Sequence, residues 1–275
     1  MSLQSRITAL AQAIGGDIKA LQGAGGGAGG QALYDRKVAL WSPGGNATTV
    51  PGIMGTPAMT VVGTATARTV ATTNLLTRMK RLAYVSAATA GAMCSVRGQA
   101  QYTSGNAAAI PLGGFSAKFK FAFTDAAAVA GARAFVGMNN AVPTNVEMST
   151  RTNHFGIAQL STSSTQLYLV HGGSAAQAAV PLGTGFPPMA GVGATNGVPY
   201  SLSIWCLPEL NGTFGWQLDR LDTGTSTGGT VTPTTPGVQT PLSTTLLAPS
   251  VWRCNNTTLL ACGIDVASVY VETDY

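Results

Sequence analysis

In the run Phe115-Ser116-Ala117-Lys118-Phe119-Lys120-Phe121-Ala122-Phe123, every odd position is apolar, while Ser116, Lys118 and Lys120 occupy even ones. Successive side chains of a strand point to opposite faces, so the pattern predicts a half-buried strand with its phenylalanines in a core. Burying each Phe contributes about 1.5–3 kcal/mol, enough for this strand to anchor a sheet. A sheet that is apolar on one face needs a second layer to cover it. Lys118 and Lys120 read either as solvation of the outer face or as contacts for an anionic ligand.

From Leu82 onward the text continues in short strand patterns separated by Gly, Pro, Asn and Thr, the signature of a sandwich or barrel. Further strands are predicted at Ala134–Met138, Phe155–Leu160, Gln166–Val170, Tyr200–Leu207, Gly215–Leu221 and Leu259–Val271. In the last of these, Ile264 to Val271 is apolar on both faces, as in a central strand or one caught between a sheet and a neighbouring subunit. Two long connections, Gly183 to Pro199 and Thr223 to Pro241, interrupt the pattern. Connections of that length in a compact domain are often functional; each reads as a contact surface or as a hairpin with a loose tip. Before Leu82, a strand over Ala32–Trp41 closing on the turn Ser42-Pro43-Gly44-Gly45, and another at Met59–Val62, stand in Gly-, Pro- and Thr-rich text. Residues 32–81 are therefore expected to form an extended neck or small β region, and 82–275 the sandwich.

The amino-terminal segment has a different period. Leu3, Ile7, Leu10, Ile14, Ile18 and Leu21 follow one another at steps of four, three, four, four and three. That is one face of a helix, rimmed by polar residues and narrow enough for a coiled-coil seam, with the extra step of four relaxing the supercoil. A lone helix of this length is marginal in water, and Gly15-Gly16 weakens it further, so it needs partners. An amphipathic helix docked on its own domain is the alternative. The Gly-rich stretch at 23–31 is a flexible tether, slack that such docking does not require. Residues 1–22 are accordingly read as an oligomerising helix.

Charged residues make up 9% of the 275-residue chain, and it contains 35 glycines. Ordinary soluble domains carry about 25% charge. Such a surface of Thr, Ser, Asn and Gln suits a chain held in a large assembly. The net charge of +5 is spread thinly, with Arg78, Lys80 and Arg81 as the cluster. It lacks the dense, aromatic-interleaved footprint of a nucleic-acid binder. No run of about 18 apolar residues predicts a membrane span, and no signal peptide is read. Cys94, Cys206, Cys254 and Cys262 form no CxxC pair and His154 and His171 no metal cluster, so neither metal nor cofactor is expected. Cys206 reads as a small core residue. No GxSxG elbow or phosphate-binding loop occurs, and both histidines read as strand-end residues. Asp219 and Asp222 flank Arg220 beside a turn; calcium ligation by that pair is a minor alternative. No catalytic residue is assigned.

The segments Leu3 to Gly15 and Asp17 to Leu21 resemble the amino-terminal part of tailed-bacteriophage tail-fibre and virion appendage proteins. Leu246 to Trp252 and Val269 to Tyr275 resemble the lectin-like β-sandwich of phage minor structural proteins. The resemblance implies a mainly β chain: a short coiled-coil helix, a tether, a neck and a jelly-roll or concanavalin-like sandwich. It implies a homotrimeric fibre or spike, made in the host cytoplasm and carried on the virion. Its partners would be other tail or capsid proteins and a host surface glycan, with no nucleic acid and no membrane insertion. A capsid-mounted head fibre or decoration protein is the structural alternative, and a depolymerase the enzymatic one.

Overall fold

The computed structural model describes residues 37–50, 59–106 and 113–273. The expected helix at 1–22, with its stripe from Leu3 to Leu21, and the tether at 23–31 lie outside them.

The described residues form two antiparallel sheets. The eight-stranded sheet runs Thr225–Val231 (β13), Phe214–Arg220 (β12), Tyr200–Cys206 (β11), Phe115–Phe123 (β6), Gly263–Thr273 (β15), Arg81–Val85 (β4) and Thr64–Arg68 (β3). Lys37–Trp41 (β1) is its eighth strand and also pairs with β15. The seven-stranded sheet runs Val180–Pro181 (β10), Tyr168–Gly172 (β9), His154–Gln159 (β8), Arg133–Asn139 (β7), Ala248–Cys254 (β14), Met93–Arg97 (β5) and Thr60–Val62 (β2). Among the described residues helix is confined to short pieces, one of them Leu75–Arg78 (α1), which is capped by reciprocal hydrogen bonds between Asn74 and Thr77.

The phenylalanine strand lies as its alternation requires. Phe115, Ala117, Phe119, Phe121 and Phe123 are buried between the sheets, and Lys118 and Lys120 are exposed. Across the core, Phe214 of one sheet stacks on Phe155 of the other, with ring centroids 4.5 Å apart and planes 13° from parallel. β15 is central, as its two apolar faces imply. It pairs along one side with β6, and along the other with β4 at Gly263–Val266 and β1 at Val269–Thr273. A bulge between Val266 and Ser268 separates those two pairings.

Three features depart from the sequence expectation. The described part of the expected neck at 32–81 supplies β1, β2 and β3, which pair into the two sheets rather than standing apart. Gly- and Thr-rich text conceals this because edge strands need only one buried face or none: β2 is exposed throughout. The connection from Thr223 begins as β13, the far arm of a hairpin with β12, and becomes a loop only after Val231. Strands β4, β5 and β14 were not individually anticipated. β4 is buried at four of its five positions and β14 along its whole length, so neither alternates, and each contains an arginine that imitates a surface residue.

Those arginines are neutralised inside the protein. Arg253 of β14 donates from Nε and Nη2 to the two carboxylate oxygens of Asp125 at 2.7 and 2.6 Å, and from Nη1 to Gln159 at 2.7 Å. Since Asp125 follows β6, the pair ties one sheet to the other. Burial works to lower the Arg253 pKa, and the adjoining Asp125 carboxylate overrides it, leaving it raised. Arg81 of β4 donates to Asp265 at 2.7 Å, and Arg68 and Thr124 complete the ring around that carboxylate.

Candidate functional site

Strand register places three rows of side chains on the outer face of the larger sheet. Thr230, Gly215, Trp205, Ser116 and Glu272 make the first row; Gly228, Gln217, Ser203, Lys118 and Tyr270 the second; Ser226, Asp219, Ser201, Lys120 and Ser268 the third. Trp205 and Tyr270 are the aromatic side chains of these rows, and Trp205 is 37% exposed although it sits mid-sheet. Its indole lies flat across Gly215: a Cβ at that glycine would come within 2.1 Å of the ring. The missing side chain is therefore what lets the indole lie down. Around it opens a groove of about 380 Å³, lined by Trp205, Trp216, Gln217, Ser226, Gly228 and Thr230 among others.

The groove offers an apolar ring face, hydroxyls, and an amide. Its carboxylate is engaged, since Asp219 accepts hydrogen bonds from Gln217 and Ser226, both at 2.7 Å. Asp222 faces elsewhere, paired with Arg220 at 2.8 and 3.1 Å, so Asp219 and Asp222 are not brought together as a calcium site. Among the described residues no group of three His, Cys, Asp or Glu could hold a metal ion. Glu147 is held by Arg133 and the Ser161 amide, and Glu272 accepts from the Tyr270 hydroxyl. With Asp125 and Asp265 neutralised, these carboxylates form no acid and base pair across the groove.

The two histidines sit in different surroundings, and the ring nitrogens of His154 are buried without a hydrogen-bond partner. His154 opens β8 fully buried beside Phe135, and burial drives its pKa down to about 3. The His171 ring hydrogen-bonds through Nδ1 with the Gln239 carbonyl at 2.8 Å. All four cysteines are free and buried, Cys206 among the core as expected, with its thiol pushed up to about 11 by burial.

A second concavity of about 380 Å³ opens at one end of the sandwich, over Asp125, Gln159 and Arg253, with Val129, Met189 and Val192 on its walls. Its polar floor is the inter-sheet pair already described, and it has no exposed aromatic face. The predicted stripe Leu3, Ile7, Leu10, Ile14, Ile18 and Leu21 lies outside the described residues. The Trp205 groove was not anticipated as a site. The signal was nevertheless present: an aromatic on the polar face of the Tyr200–Leu207 strand, opposite a glycine in the next one.

No family model and no curated protein sequence matches the chain. Solved structures do. A peanut lectin, in complex with a nine-residue peptide, superposes with a TM-score of 0.51 at 11% identity, covering 86% of this chain and 97% of its own. Arcelin-5, a lectin-like defence protein from Phaseolus vulgaris, gives 0.48 at 9% identity over 87% and 98% of the two chains. Lectin UEA-II, complexed with galactose, gives 0.48 at 14% over 79% and 93%. At this identity the peanut lectin likeness is one of fold, and the chain is a mainly β sandwich of two antiparallel sheets with a lectin-like architecture.

Proposed function

We propose that the chain is a structural virion protein of a tailed bacteriophage, a homotrimeric fibre or spike whose sandwich attaches to a host surface glycan at the Trp205 groove. The observation that carries the attachment is the indole laid across Gly215 beside Gln217, Ser226 and Thr230. A flat apolar ring offers a stacking surface for the C–H face of a sugar, and adjacent hydroxyls and amides exchange hydrogen bonds with sugar hydroxyls. The lectin-like sandwich supports the same reading. The virion setting rests on the sparsely charged composition, the amino-terminal apolar stripe and its tether, and the resemblance of both ends to phage appendage proteins.

Binding of the full chain to a bacterial glycan array tests the reading. The wild type retains one or more glycans, and Trp205→Ala lowers that affinity at least tenfold while leaving the thermal midpoint within a few degrees. Binding to virus particles with none to any glycan would favour the decoration-protein alternative. Release of reducing sugar from host polysaccharide would replace attachment by depolymerisation.

A further inference from the structure

Two of the four buried thiols meet where the sheets approach each other. Cys94 lies in β5 of the smaller sheet, opposite Arg253 of β14, and Cys262 immediately precedes β15 of the larger. Main-chain bonding fixes the second position as firmly as the first: the Cys262 carbonyl accepts from the Ser86 amide at 2.9 Å, and its amide donates to the Ser86 hydroxyl at 3.0 Å. Cys94 Sγ lies 3.6 Å from the Cys262 carbonyl oxygen, and the two thiols hydrogen-bond to each other.

Their surroundings divide the roles. The bond from Cys94 holds the Cys262 pKa below its usual value against the effect of burial, helped by Ser86 at 3.4 Å and by the charge of Arg253. Burial, and then that same bond, push the Cys94 thiol well up. Cys262 is therefore the nucleophile and Cys94 the sulfur placed to meet it. Cys262 also closes the surface turn at 256–261, where Leu259 is 70% exposed. A local opening of that turn, rather than parting of the sheets, admits a small oxidant. The remaining cysteines are placed elsewhere. Cys254 packs with Phe135 and Trp252 on the other face of the smaller sheet, and Cys206 pairs with Phe115, at the opposite end of β6 from the Ile264 pairing.

We infer that Cys94 and Cys262 form an oxidation site, closed by peroxide into a disulfide that links the two sheets. The Cys262 thiolate attacks one peroxide oxygen; the O–O bond breaks, and the hydroxide released takes up the proton that Cys262 gave up and leaves as water. The Cys94 sulfur then attacks the sulfenic sulfur of Cys262, and the displaced hydroxyl leaves with the Cys94 proton as a second water. The two thiols lose two electrons and the peroxide gains them. The bridge joins residues 168 apart in sequence, a span over which a crosslink strongly restricts the unfolded chain. A reducing compartment keeps the site open. The inference is independent of the Trp205 groove.

The full chain is treated with hydrogen peroxide, and the surviving thiols are counted by alkylation in denaturant and mass spectrometry. Two of the four thiols disappear, and a non-reduced digest links the peptides that hold Cys94 and Cys262. The thermal midpoint rises by about 5–10 °C, and dithiothreitol returns it. Cys206→Ser and Cys254→Ser keep the bridge, whereas Cys94→Ala and Cys262→Ala abolish both the bridge and the rise. Should an alanine variant fail to fold, the linked peptides and reversible rise of the wild type still decide. Survival of all four thiols, a bridge that requires Cys254, or a sulfinic acid at Cys262 with Cys94 still free overturns the inference. So does a bridged chain that melts no higher than the reduced one.

Discussion

Single side chains in this protein act mainly through what their burial forbids. His154 is the clearest case, because an unfolded histidine takes up a proton below about pH 6.5, whereas native His154 stays neutral down to about 3. The unfolded state therefore binds more protons throughout that window, and stability falls as the pH drops, by about 1.4 kcal/mol per unit at most. His154→Leu removes this contribution, so its urea midpoint changes less between pH 7 and 5 than that of the wild type, by about 2 kcal/mol in unfolding free energy. An unchanged difference would mean that His154 does not titrate as its burial dictates. Gly215 makes the complementary point by the space it leaves. Gly215→Ala drives a Cβ into the indole of Trp205, so the ring must lift from the sheet. Expected are a red-shifted tryptophan emission and at least a fivefold loss of glycan affinity, with Trp205 itself still present.

At the level of strands, the two sheets are joined by packing and by the Arg253–Asp125 pair, both of whose side chains are at most 2% exposed. Arg253→Met leaves the Asp125 carboxylate buried without its counter-charge and is expected to destabilise the protein by about 3–5 kcal/mol. The double variant Arg253→Met/Asp125→Leu recovers most of that loss, a non-additivity that calorimetric melting measures directly. A double variant as unstable as the two single losses combined would count against the pair as the source. The same pair explains what was readable in the sequence. β6, β8, β11 and β12 declared themselves because each presents one wet face or a run of apolar residues between turns. β4 and β14 did not, because Arg81 and Arg253 look like solvent-facing residues until their distant partners Asp265 and Asp125 are known. Local patterning reports which face is wet and is silent about a charge satisfied 128 residues away. The groove was hidden for a related reason: Trp205 and Gly215 become a site only through cross-strand register.

For the whole molecule, the sequence conveys a mainly β body, and the two-sheet order emerges only from pairings between remote strands. The proposed trimer is a property of residues 1–22, and multi-angle light scattering addresses it. The full chain is expected to scatter as three copies, and a chain lacking residues 1–22 as one, with the sandwich's circular dichroism retained in both. A full-length chain that scatters as a single copy would remove the fibre reading without touching the groove. The topology also dictates an order of events. Without β14, the smaller sheet is two unconnected pieces; without β15, the larger is three, with β1 stranded alone and β3–β4 severed from β6. Both keystones lie within the span Ala248 to Thr273. During synthesis, then, the strands from β1 to β13 must wait as separate pieces until that span clears the ribosome. A premature stop between β1 and that span should leave sticky fragments rather than a smaller working domain.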